Sequence, residues 1–200
     1  MGGDGNVCGN EISFSLKDSD VGLVAHFRRA LQIGNPVRFD QRTKEFGGYR
    51  FQYRRAVVSV CSRQLANDLA TYGVIPAKTG RTKPALIPEQ VQRRLERHYW
   101  RGWVDTDGWL VRLSEARKRQ QLILGLTGDP PVVRAFREFC MRYVPTKAGI
   151  HPNNNIKRFV VTDSYALRIA RLLYEDATIS LERKRSVYLT WKAARPDWLD

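Results

Sequence analysis

The stretch HYWRGWVDTDGW, residues 98–109, sets two carboxylates, Asp105 and Asp107, two positions apart and just before Gly108. The chain around it is strongly basic, so a paired acidic turn stands out. Carboxylate oxygens are hard ligands for a divalent cation such as Mg2+, which fills its remaining positions with water and phosphate oxygens. A bound cation would also offset the cost of negative charge at a helix C-terminus. A lone D-x-D-G is common in plain turns and calcium loops, so the elements that position it must decide.

The residues before the turn predict a helix. Pro88 suits a first helical turn, and Val91, Leu95, Tyr99, Gly102 and Trp103 then recur at intervals of three and four. That is one apolar face, with Arg93, Arg94, Glu96 and Arg97 largely off it. An exposed helix would lose roughly 1 kcal/mol to a glycine in place of alanine, so Gly102 is expected to admit a second backbone at close range. Gly108 is expected to end the helix in a left-handed conformation. Trp100, Trp103 and Trp109 are expected in the core and at helix contacts.

Two extended runs, WLVRLS and QLILGL, follow as a hairpin about the basic turn EARKRQ. A helix is expected over DPPVVRAFREFCMRY and a loop over KAGIHPNNN. The strand IKRFVVT, the helix SYALRIARLLYED and the amphipathic LERKRSVYLTWKAA complete the chain. The first half has the same order of parts. ISFSLKDSDVGLVAHFRRAL is a strand and helix, VRFDQRTKEFGGYRFQYRRAVVSV a hairpin around Gly47-Gly48, and SRQLANDLATYG a helix. Leu23, Val24, Phe27 and Arg28 fall on Val132, Val133, Phe136 and Arg137, and Ser62, Leu65 and Tyr72 on Ser164, Leu167 and Tyr174. The chain therefore reads as a duplication of about 100 residues rather than a short solenoid repeat. The acidic turn recurs too: GGDGN at residues 2–6 parallels DTDGW at 105–109, with Asp4 in the place of Asp107.

Thirty-four Lys and Arg against 20 Asp and Glu give a formal charge of +14, spread along the whole chain. Such a surface calls for a polyanionic partner, with nucleic acid first and a ribosomal or merely solvated surface as the alternative. A hydrophobic fraction of 42% excludes a disordered chain. Cys8, Cys61 and Cys140 form no C-x-x-C pair, which removes a zinc ribbon and a disulfide framework and leaves buried reduced thiols. His26, His98 and His151 have no metal spacing, and HPNNN lacks the second histidine of a His-Asn nuclease. With no signal peptide and no membrane-length apolar run, a soluble cytoplasmic protein is expected.

The motif helix, its RGWVDTDG ending and the duplicated order of hairpins and helices resemble the LAGLIDADG homing endonucleases. The nine-letter motif aligns on Trp100 to Gly108 with its G-x-x-D-x-D-G skeleton intact, though the flanking letters differ. LLYEDATISLERK resembles the end of such domains, so the likeness spans nearly the whole chain. It implies an α+β fold of two pseudo-symmetric αββαββα units, residues 1–84 and 85–200, the first lacking most of its motif helix. Motif helices would meet through Gly102, Trp103, Val91 and Leu95. Four-stranded antiparallel sheets would form a saddle over the DNA major groove. The last aspartate of each motif, Asp107 and Asp4, would then be catalytic and hold Mg2+ or Mn2+ at a shared seam. Asp105 reads as a helix-end or packing residue, and Gly2 replaces it in the first copy.

The resemblance implies a site-specific double-strand DNA endonuclease, a monomer that self-associates if the first helix is truly absent. A catalytically inactive DNA-binding relative and an RNA intron maturase are the alternatives, RNA being the other candidate partner. Alternation in the strands selects the residues that would meet DNA. They are Ser13, Ser15, Lys17, Arg38, Asp40, Arg42, Arg50, Gln52 and Arg54 in the first half. In the second half they are Arg112, Ser114, Arg117, Arg119, Lys157 and Arg158. Tyr49, Phe51 and Tyr53 are expected to face the core.

Overall fold

The computed structural model describes residues 4–76, 93–113 and 120–199. The chain forms two units that divide between residues 77 and 78. The expected boundary at 84/85, Val91, and the turn with Ser114, Arg117 and Arg119 lie outside the described residues.

In the first unit, β1 (Gly5–Cys8) and β2 (Glu11–Lys17) lead to α1 (Val21–Ala30), then β3 (Arg38–Phe46), β4 (Tyr49–Cys61) and α2 (Arg63–Thr71). The four strands are antiparallel neighbours in the order β1-β2-β4-β3. Gly47 and Gly48 both take positive φ, as a two-residue hairpin turn requires. Ser62 caps α2 by accepting from the Leu65 amide at 3.2 Å. Ile12, Phe14, Leu16, Ala56 and Val58 alternate into the core, where α1 packs on β2 and β4.

In the second unit, α3 (Arg93–Asp107) precedes β5 (Gly108–Leu113), β6 (Gln121–Gly128) and α4 (Pro130–Tyr143). Then come β7 (Ile150–Asn153), β8 (Ile156–Thr162), α5 (Asp163–Tyr174) and α6 (Glu182–Ala194). The strand order is β5-β6-β8-β7, the first unit's order repeated. The fold is therefore α+β, built from a duplicated hairpin–helix–hairpin–helix plan. Leu110, Leu122, Leu124, Leu126, Phe159 and Val161 form a core with Trp100, Trp103, Val104, Phe136 and Phe139.

Several expectations change. The loop expected at HPNNN contains β7, an edge strand that tolerates Pro152. Cys140 is buried as expected, but Cys8 and Cys61 are exposed. Gly108 is not left-handed. It opens β5, and a Cβ there would lie 2.7 Å from the Gly125 carbonyl oxygen and 2.8 Å from Val104 Cα. Close backbone approach, rather than a left-handed turn, requires this glycine. Gly102 and Leu95 are exposed, and a Cβ on Gly102 would meet nothing within 4 Å among the described residues. Trp103 is buried in its own unit's core. Among the described residues no helix is long and apolar enough to cross a membrane.

Candidate functional site

The C-terminal end of α3 is built around Asp105. Its carboxylate is buried and accepts from the Tyr174 hydroxyl at 2.7 Å and from the Leu181 amide at 3.0 Å. Burial pushes its pKa up, while those two hydrogen bonds and the charges of Lys184 and Arg101 pull it down. The same burial, with the Asp105 carboxylate alongside, raises the Tyr174 phenol well above its ordinary value. Asp105 is thus a packing acceptor, with both oxygens engaged in joining α3 to α5 and to the start of α6.

Lys184, from α6, is equally buried, and its ammonium donates to the carbonyls of Val104, Asp105 (2.9 Å) and Gly108 (2.7 Å). A helix leaves its last carbonyls unpaired, and here a buried cation satisfies them. Arg101 ties the previous turn to Ile179 (2.8 Å) and Leu173 (3.0 Å) through their carbonyls. Asp107, the last residue of α3, is half-buried just beyond this brace. Its carbonyl accepts from Thr127 Oγ1 at 3.4 Å. In the first unit, Asp4 is exposed and immediately precedes β1.

Sequence reasoning did not single out Lys184, although a signal exists. It falls on the stripe Leu181, Lys184, Tyr188, Trp191, every other member of which is apolar and buried. A lysine on such a stripe marks a buried cation that needs partners.

Strand pairing fixes which side chains share a face. In the first unit Ser13, Ser15, Lys17, Arg38, Asp40 and Arg42 lie together on the sheet face opposite the helix. Arg50, Gln52 and Arg54 do not join them. The two-residue turn pairs Arg42 with Tyr53 and Lys44 with Phe51, which puts Tyr53, Phe51 and Arg55 on the open face. Arg50, Gln52 and Arg54 share the other face with Glu45, Thr43 and Gln41. Tyr49 and Phe51, expected in the core, are 71% and 53% exposed, because the register turns them to the open face, away from the helix. On the hairpin's reverse face Arg54 lies 4.6 Å above the Phe39 ring and Gln41 donates to Gln52 at 2.8 Å.

Asp40 is engaged by Arg55 at 2.6 Å and 2.9 Å and by Arg42 at 3.2 Å. Arg55 holds its carboxyl below the usual range. In the second unit Arg158 lies on the open face opposite His151, whereas Lys157 and Arg112 fall on the helix side. Arg112 faces α6 there, beside Thr190, Trp191 and Arg195.

Among the described residues no three His, Cys, Asp or Glu side chains gather into a metal-binding group. Within the second unit Asp107 offers one carboxylate at a helix end. A Mg2+ ion held there would draw its other ligands from phosphate oxygens and water, a donor set suited to a site that forms on nucleic acid.

No protein-family model and no curated protein sequence matches the chain. Solved structures do. The meganuclease I-SmaMI bound to uncleavable DNA aligns with a TM-score of 0.58 at 12% identity, over 94% of this chain and 81% of that one. The LAGLIDADG meganuclease I-AabMI bound to uncleaved DNA aligns with a TM-score of 0.55 at 10% identity, over 98% and 88%. Full-length DUF199/WhiA from Thermatoga maritima aligns with a TM-score of 0.52 at 13% identity, over 94% of this chain and 56% of that one. The element order, the repeated strand order and these alignments together give the chain the two-repeat LAGLIDADG homing-endonuclease fold.

Proposed function

We propose that the chain is a site-specific endonuclease that cuts both strands of duplex DNA with the help of Mg2+ or Mn2+. The observation that carries this reading is Asp107, a half-buried carboxylate at the end of a helix whose last turn is braced by Lys184 and Asp105. Asp107, and Asp4 in the first repeat, would hold the cation. The bound cation would supply Lewis acidity for activating water and for charge on the leaving oxygen. The protein's own contribution is positional. Lys184 and the Asp105–Tyr174 bond fix the helix end, so Asp107 is held without rearrangement. Lys17, Arg38, Arg42 and Lys44 on the first open face, with Arg158 on the second, would neutralise phosphates and contact base edges.

Support for duplex DNA also comes from the charge of +14 and from the DNA-bound proteins that share this fold. I-SmaMI was also solved on uncleaved DNA in the presence of calcium ions, an alignment with a TM-score of 0.57. A second reading, a DNA-binding protein without chemistry, draws on the first repeat, where Gly2 stands in the position Asp105 fills in the second.

The test is a supercoiled plasmid library with a randomised insert, incubated with the full chain. With Mg2+ a subset of plasmids should become linear, and EDTA should leave them supercoiled. Retention of every plasmid as supercoil in Mg2+, alongside tight duplex binding, would establish the binding-only reading instead. Structured RNA that displaces the DNA more effectively than duplex does would move the assignment to an RNA-binding role.

A further inference from the structure

The two sheets have the same strand order, so their open faces can be compared row by row. Counting outward from the aspartate, the first sheet carries Ser15–Val57–Arg38, then Asn6–Ser13–Ser59, then Cys8–Glu11–Cys61. The second carries Thr127–Arg158–His151, then Trp109–Gly125–Val160, then Val111–Ile123–Thr162. The row nearest the aspartate carries a hydroxyl and an arginine in both, with Val57 between them in the first sheet. The next two rows are not alike. Asn6, Ser13, Ser59 and Glu11, with Cys8 and Cys61, in the first sheet give way to Trp109, Gly125, Val160, Val111 and Ile123, with Thr162, in the second.

Apart from Gly125, these residues are not fully buried by their own unit. Trp109, Val111, Ile123 and Val160 all remain partly exposed, on the side of the sheet away from the helices. Gly125 is shaped for this surface, because a Cβ there would lie 2.3 Å from the Trp109 ring. The indole therefore lies flat over β6 and widens a smooth apolar strip, bordered by the polar row of Thr127, Arg158 and His151.

We propose that the apolar strip of the second sheet recognises the 5-methyl groups of thymine in the major groove, whereas the matching rows of the first sheet read hydrogen-bonding base edges. This rests on the DNA-binding reading above and adds a chemical division of labour to it. The thymine methyl is the one apolar group a base pair displays in the major groove, and aliphatic side chains are its natural contacts. The Arg158 guanidinium beside the strip favours the same occupant, since it would keep the phosphate backbone alongside. An apolar protein partner would gain nothing from that charge.

The experiment selects binding sites for the full chain from a randomised duplex pool. It then remakes the best site with deoxyuridine in place of thymidine, which removes the methyl and nothing else. One segment of the selected site should be rich in T, and uracil there should weaken binding about fourfold for each methyl that had been buried. Uracil elsewhere in the site should change affinity less than twofold. The double variant Ile123→Thr, Val160→Thr, which keeps β-branched residues in the strands, should bind the thymine and uracil versions alike. Equal affinity of the unaltered protein for both versions would overturn the proposal, and because that comparison needs no protein variant, a folding defect cannot mask it. If no sequence is enriched from the pool at all, the DNA-binding reading itself fails.

Discussion

At the residue scale the end of α3 is determined by two buried groups, the Asp105 carboxyl and the Lys184 ammonium. Asp105 accepts from Tyr174 and Leu181, and Lys184 donates to backbone carbonyls. Lys184→Met should strand three carbonyls and lower stability by about 3 kcal/mol, read from a urea midpoint. Tyr174→Phe should cost less, about 1–2 kcal/mol, because Asp105 keeps its backbone donor. The pH dependence has a definite sign. Asp105 titrates above its unfolded value of about 4, so its contribution is fully present below that pH and is lost as pH rises through the folded pKa. Relative to Asp105→Asn, the unaltered protein should therefore lose stability as pH rises above about 4. The D-x-D-G motif draws attention to this helix end and leaves Asp105 as a helix-end or packing residue. It could not announce Tyr174, Leu181 or Lys184, which reach the same place only through tertiary packing 69 to 80 residues further along the chain.

At the element scale, register matters more than composition. Alternation within VRFDQR and YRFQYR correctly indicates strands, but each strand alone has two equivalent faces. Only the turn links them, and a two-residue turn pairs Arg42 with Tyr53 rather than with Arg54. That parity turns Arg50, Gln52 and Arg54 away from Arg38 and Arg42 and brings Tyr53, Phe51 and Arg55 alongside them. The apolar signal of Tyr49, Phe51 and Tyr53 misled for the same reason, since that register turns them to the face the helix does not cover. Arg42→Ala should weaken DNA binding about tenfold if it meets a phosphate or base edge, whereas Arg50→Ala should stay within about twofold. Gel-shift titrations at one salt concentration decide between them, and the reverse ranking would mean that the opposite hairpin face meets the duplex.

At the scale of the whole molecule, the duplication is the feature the sequence carries most clearly. Asp4 and Asp107, Ser15 and Thr127, and Val58 and Phe159 occupy matching register positions although few residues are identical. What the sequence could not convey is that the two sheets had diverged on their open faces, because that requires knowing which residue of each strand points away from the helices. The charge of +14 gives a general prediction. Affinity for duplex DNA should fall by at least about a hundredfold between about 50 mM and about 200 mM salt, through loss of counterion release. The most direct test of the central claim is a paired measurement on one selected target duplex, comparing the unaltered chain with Asp107→Asn for binding and for Mg2+-dependent cutting. The account predicts that the variant binds as tightly and leaves the DNA uncut; cutting at the full rate would contradict it.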